Sequence, residues 1–289
     1  MNLKLIITLT ALLAAPACFA DWQSVGEGKT IGISGIAPID KTRYLVVHDN
    51  KKPDQPRLSI ITVGSKTASL ASVAWCDKAK PPIDLEGLTA IPNHSGEYLV
   101  LESKGSVTRI KLSGKTCKVT HAAFNLPTQT EASNMEALAL QCFGKNCLLA
   151  WAERGKNQQP AQLSLGVFDV KNNTLSAPAN PPYPFHAPAP TADEARSISD
   201  MAIGQDGGLW VSAASDQGDD GPFQSAVYKI GQFQKDKGKG EWLYPFSNPE
   251  EHSKYDKVKI EALNFTADGQ LILGTDDENQ GAKVGVYPK

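Results

Sequence analysis

The chain has 289 residues and a net charge of −2, with 29 lysines and arginines against 31 aspartates and glutamates. That balance leaves no basic excess to hold nucleic acid, while the length allows one large domain with a real hydrophobic core. The apolar run from Leu5 to Ala17 is too short for a comfortable membrane span.

In chain order, "MNLKLIITLTALLAAPACFA" has a lysine, an apolar stretch and small residues before Asp21, which is the pattern of a secretory signal peptide cleaved after Ala20. A lipid anchor on Cys18 is disfavoured because "APAC" lacks a large aliphatic residue three positions earlier. The expected mature chain, 21–289, is one domain in the periplasm or outside the cell, a monomer without a transmembrane segment. Its four cysteines then meet an oxidising compartment. Cys142 and Cys147 in "CFGKNC" flank a turn and are expected to pair across a hairpin.

One motif recurs five times: "GISGIAPI" from Gly32, "DLEGLTAI" from Asp84, "NMEALALQ" from Asn134, "SISDMAI" from Ser197 and "KIEALNFT" from Lys259. Each is followed by a turn and a second apolar strand: "RYLVVHDN", "EYLVLESK", "LLAWAERG", "LWVSAASD" and "QLILGTDD". Short strands repeated at roughly 50 residues with almost no amphipathic helix predict an all-β propeller of four-stranded blades. Five motifs predict five blades. A sixth, degenerate blade after Trp151 or Trp210 and a two-sheet sandwich are the alternatives. The last repeat offers three strands, and the segment from Trp22 to Thr30 is expected to complete that blade and close the ring.

Aligned, the motifs place Ser34, Glu86, Glu136, Asp200 and Glu261 in one column. On innermost strands these positions converge on the channel. Carboxylates about 6 Å apart repel by roughly 3 kcal/mol at an effective dielectric near 20, so a gathering of four asks for protons or a cation. Oxygen donors suit Ca2+, with Mg2+ as the alternative; without His or Cys in the column, zinc does not fit. A second column, Asp49, Glu102, Glu153, Asp216 and Asp276, follows from the constant residue sum of antiparallel pairs. By the same bookkeeping Cys76 and Cys117 fall at opposite ends of adjacent outer strands, so their pairing stays open.

His48 near the mouth is a candidate general base. Lys104, Arg154 and Arg196, with Lys51, are candidates to bind an anionic substrate, surface ion pairs being the plainer reading. The proline-rich segment 180–195 is expected to overhang the mouth, and "QKDKGKGE", 234–241, reads as a solvated hairpin tip.

The series "SGIA … VVHDN", "DLEGLT … LES", "NMEALAL … AERG", "SISDMAI" and "IEALNF … TDDEN" resembles the phytase-like domain family described as having esterase-like activity. The resemblance implies a secreted propeller hydrolase acting on a small ester or phosphoester. On that reading Glu86, Glu136, Asp200, Glu261 and Ser34 hold the ion, while Glu102, Glu153 or Asp276 orient the attacking water. A non-enzymatic binding module with a structural Ca2+ and a lactonase are the competing readings.

Overall fold

The computed structural model describes residues 21–76, 79–143, 146–176, 181–233 and 243–287. The leader read over 1–20 and the hairpin tip read over 234–241 lie outside them. The described residues form five antiparallel sheets, the blades of a propeller. Among the described residues, helix is confined to two short 3-10 turns, Lys29–Ile31 and Glu278–Gln280.

Blade 1 runs outward through Gly35–Pro38, Arg43–Val47, Leu58–Val63 and Ala68–Val73. Blade 2 comprises Leu85–Ala90, Glu97–Glu102 and Ser106–Ser113, with its outer edge shared by Thr116–Val119 and Phe124–Asn125. In blade 3, Met135–Phe143, Asn146–Glu153 and Ala161–Asp169 are edged by Thr174–Leu175 and Tyr183–Phe185. Blade 4 is Ala195–Ile203, Gly208–Ser215, Gln224–Phe233 and Leu243–Asp256. The segments after Trp151 and Trp210 are therefore the outer strands of blades 3 and 4, and no sixth blade arises from them.

Blade 5 consists of Ile260–Phe265, Leu271–Thr275, Ala282–Val286 and, outermost, Gln23–Gly26 from the other end of the chain. Gln23 pairs with Val284 and Ser24 with Lys283. This closure covers the sheet edge that an open ring would expose.

The core lies in the seams between blades. Ala37, Leu45 and Val47 of blade 1 pack on Leu85, Leu88 and Val100 of blade 2, and Leu99 and Leu101 of blade 2 pack on Leu138, Leu149 and Trp151 of blade 3. Both faces of each inner strand are thus covered, which explains continuous apolar runs where a half-buried strand would alternate. Five inner strands crowd the axis. A Cβ on Gly35 would lie 3.0 Å from the Leu88 amide nitrogen, and one on Gly87 would lie 3.1 Å from the Leu138 Cβ.

Inner strands have no neighbour on their axial side, so some of their backbone groups need side-chain partners. The Thr89 Oγ1 accepts from Leu140 N across the seam of blades 2 and 3, at 3.1 Å. Asn264 donates to Ile36 O between blades 5 and 1, at 2.6 Å. Asp200 serves the seam of blades 4 and 5, accepting from Leu263 N at 2.7 Å.

Both cysteine pairs form disulfides. Cys142 and Cys147 are direct partners in the blade 3 hairpin. Cys76–Cys117 joins blades 1 and 2, against the expectation of opposite ends. Successive strands rotate by about 20 to 25°, so by the fourth strand the outer edges run around the rim. The end of one then meets the start of the next, and Ala74 N donates to Lys115 O at 3.1 Å beside the disulfide. Within the proline-rich segment, Tyr183–Phe185 pairs with Ala161–Leu163 and edges blade 3. Among the described residues, no helix is long and apolar enough to cross a membrane.

Candidate active site at the channel mouth

In blades 2, 3 and 5 the expected acidic residue is the extra member of a β-bulge. Leu85 pairs with Glu102 and Gly87 with Leu101, leaving Glu86 unpaired in the ladder. Glu136 stands the same way between Met135 and Ala137, and Glu261 between Ile260 and Ala262. A bulge re-aims its residue away from the regular alternation. Here it turns three glutamates toward a shared space: Glu86 is raised well above the usual carboxylate range by burial, then by Glu136, Asp49, Asp84 and Glu261.

Blade 4 differs. Arg196 pairs with Ala214 and Asp200 with Ser212, so three residues, 197–199, oppose Ala213 alone. Counting from the pairs Met201–Val211 and Leu138–Trp151, Asp200 aligns with Gly87, Ala137 and Ala262, and Ser199 takes the place of the glutamates. The expectation that Asp200 joins the column is corrected accordingly. Its oxygens accept from Met201 N at 2.8 Å and Leu263 N at 2.7 Å. The ring at the mouth is Ser34, Glu86, Glu136, Ser199 and Glu261, and the buried hydroxyls of Ser34 and Ser199 have no hydrogen-bond partner.

The bulges also displace the second column. Glu102 pairs with Leu85 and Glu153 with Met135, one residue short of the channel position, which Ser103 and Arg154 occupy alongside Asp49 and Asp276. Glu102 instead accepts from Ile83 N at 3.1 Å. Glu153 lines a separate cavity on blade 3. Asp216 reaches the mouth by pairing with Arg196. His48 takes a position equivalent to Glu102 and is wholly buried, where it contacts Gly32 O at 2.6 Å and the Ser59 Oγ at 2.8 Å. Burial lowers its pKa to about 4, with Arg57 adding to the fall against the pull of Gly32 O. A neutral imidazole with both nitrogens engaged holds the strand in place and has no route to a substrate. Lys104 likewise donates to Glu131 O and Ser133 O, at 3.1 and 3.0 Å, fastening the approach to blade 3.

The acids are compensated largely by the protein itself. Arg154 donates to Glu136 at 3.2 Å, and Arg196 bridges Glu261, at 2.6 Å, to Asp216. Lys259, only 1% exposed, lies 3.5 Å from Glu261 and 3.4 Å from Asp276. Burial alone would lower the pKa of Arg196, but Glu261, Glu136 and Asp216 raise it; Lys259 is raised similarly, by Glu261 and Asp276 against burial. The sequence reading missed Lys259, although it stands two residues before Glu261 as Asn134 stands before Glu136.

Calcium requires about six to eight oxygens around one point. Glu136 and Glu261 each hold a guanidinium, and both oxygens of Asp200 hold backbone N–H groups. Among the described residues no three His, Cys, Asp or Glu side chains are grouped to hold a metal ion. The five residues expected to form the ion's shell do not fit it as they stand.

Two mouth carboxylates, Asp49 and Glu86, accept no hydrogen bond from any described residue. Burial, then Glu261 and Asp84, pushes Asp49 up to about 6. Burial raises Glu136 to about 7, with Arg196 and Arg154 pulling it down and Glu261 pushing it up. Such groups are poised to exchange protons near neutral pH beside fixed positive charge.

No curated protein sequence matches the chain. Among solved structures, a glucose dehydrogenase superposes with a TM-score of 0.51 at 13% identity, covering 93% of this chain and 99% of that one. An exo-1,5-α-L-arabinanase from a bovine ruminal metagenomic library has the same score and identity, with 93% and 94% covered. A family AA12 carbohydrate-active enzyme from Trichoderma reesei scores 0.50 at 10% identity, with 99% and 100% covered. At such identities the likeness concerns the propeller fold alone. The family model Phytase-like, described as "Esterase-like activity of phytase", matches residues 29–279, from the approach to blade 1 to the turn before the strand Ala282–Val286 of blade 5, and the chain belongs to that family.

Proposed function

We propose that the chain is a hydrolase of a small ester or phosphoester held at the channel mouth. The observation that carries this reading is a pair of unpartnered carboxylates on adjacent blades, Asp49 and Glu86, the second within electrostatic reach of the Arg196 guanidinium that Glu261 holds in place. Asp49, pushed only to about 6 and so ionised near neutral pH, takes a proton from the attacking water. Glu86, which holds its proton well above the usual carboxylate range, gives it to the leaving group. Arg196, whose charge is coupled to Glu86, and Arg154 stabilise the negative charge that builds on the carbonyl or phosphoryl oxygen. Acids outnumber cations at the mouth, which disfavours a polyphosphate.

The test is turnover of p-nitrophenyl acetate, p-nitrophenyl phosphate and a γ-lactone by wild type and Asp49→Asn, with and without EDTA. The expected result is ester or phosphoester hydrolysis that falls about 10²-fold or more in the variant. A folded protein inert to all three substrates would sink this reading in favour of a binding module. Activity abolished by EDTA would show that an ion joins these residues.

A further inference from the structure

Beside the mouth, blade 3 carries a cavity of ≈ 450 Å³ lined by Asn134, Glu153, Arg154, Lys156, Gln159 and Gln162. Its volume falls within the range of small-molecule sites, but no aromatic or large aliphatic side chain lines it. We propose that this cavity seats a neutral, polyhydroxylated group, a sugar or polyol, attached to the ester cleaved at the mouth; the assignment rests on the hydrolase reading above.

The charges here are largely balanced. Arg154 is paired with Glu136 at 3.2 Å and Lys156 with Glu194 at 2.5 Å, leaving only the Glu153 carboxylate without a partner among the described residues. An anion would meet that carboxylate, and a cation would meet Arg154 and Lys156. Hydroxyl groups both donate and accept, and the wall offers both: the Glu153 oxygens, the Gln159 and Gln162 amides and the remaining Arg154 N–H groups. Glu153 and Gln162 are direct cross-strand partners, so they present one flat array.

The lip is built to hold its shape. Gly155 turns the chain at φ +65°, and a Cβ there would lie 2.4 Å from Ala161 N. Lys156 and Gln159 exchange backbone hydrogen bonds at 3.0 and 2.9 Å, and Asn157 N donates to Ala195 O at 2.9 Å. Arg154 is the shared wall, touching Glu136 in the mouth on one side and the cavity on the other.

Saturation-transfer NMR with sorbitol and methyl glucoside tests the inference without turnover, with inorganic phosphate as the anionic probe. Wild type is expected to transfer saturation to at least one hydroxylated probe and not to exchange it for phosphate. Gln159→Ala/Gln162→Leu is expected to weaken that binding about fivefold or more at an unchanged Tm. Should the double variant melt early, Gln159→Ala on its exposed turn gives the same comparison. No transfer in wild type, phosphate bound more tightly than either probe, or binding indifferent to the variants would overturn the proposal. Sugar binding without ester hydrolysis would sink the hydrolase reading alone.

Discussion

Blades 3 and 4 present the same strand to the axis and put different chemistry there. In blade 3 one extra residue turns Glu136 into the mouth, where Arg154 meets it. In blade 4 two extra residues bring Ser199 to that position, turn Asp200 into the seam and leave Arg196 to span the mouth between Glu261 and Asp216. The number of residues in a bulge, more than the residue types, decides whether an acid becomes a reactive group or a structural acceptor.

The sharpest way to break this contrast is at Arg196. Arg196→Met would leave Glu261 and Asp216 facing Glu136 without their guanidinium, and a loss of about 3–5 kcal/mol is expected, as when one partner of a buried ion pair is removed. Urea unfolding measures it; a loss below 1 kcal/mol would mean that water already neutralises the mouth. Next comes Asp200→Ala, which strips acceptors from two buried N–H groups and should cost about 2–4 kcal/mol, whereas Asp200→Asn, which keeps one oxygen, should cost about half as much. Equal losses would show that the charge and not the hydrogen bonding matters.

The smallest effect concerns pH. Glu136 goes from 4.5 to about 7 on folding, and Asp49 from 3.8 to about 6. A carboxyl that holds its proton more tightly when folded stabilises most below its unfolded pKa, and that contribution is lost as pH rises through the folded value. His48 acts with the opposite sign, since its fall from 6.5 to about 4 removes stability as pH drops across that window. Calorimetry of Glu136→Gln from pH 5 to 8 should show a flatter decline in Tm toward pH 7 than wild type. Identical slopes would place the titration elsewhere.

The ring of blades, its closure by Gln23–Gly26 and the Cys142–Cys147 bridge were legible because a repeated apolar motif and a short hairpin are local patterns. The mouth was legible only in part. A constant-sum pairing assumes no bulge, so one unseen residue moved Glu102 and Glu153 off the channel and hid Arg154's place beside Glu136. Asp200 was misplaced because its motif was aligned on charge, when the apolar Met201 marks the register. Cys76–Cys117 escaped because twist accumulates across a blade and no pair of strands in sequence displays it. His48 looked available because a polar "HDN" reads as a loop; its partner Ser59 lies on the next strand.

The strand that completes blade 5 has a consequence for how the molecule comes into being. Gln23–Gly26 has nothing to pair with until the final strand of the chain exists, and that same final blade brings Lys259 and Glu261 to the axis. Sealing the rim and completing the hub are therefore one event. A polypeptide halted after four blades would have an exposed edge and, at its centre, an Arg196 still awaiting Glu261.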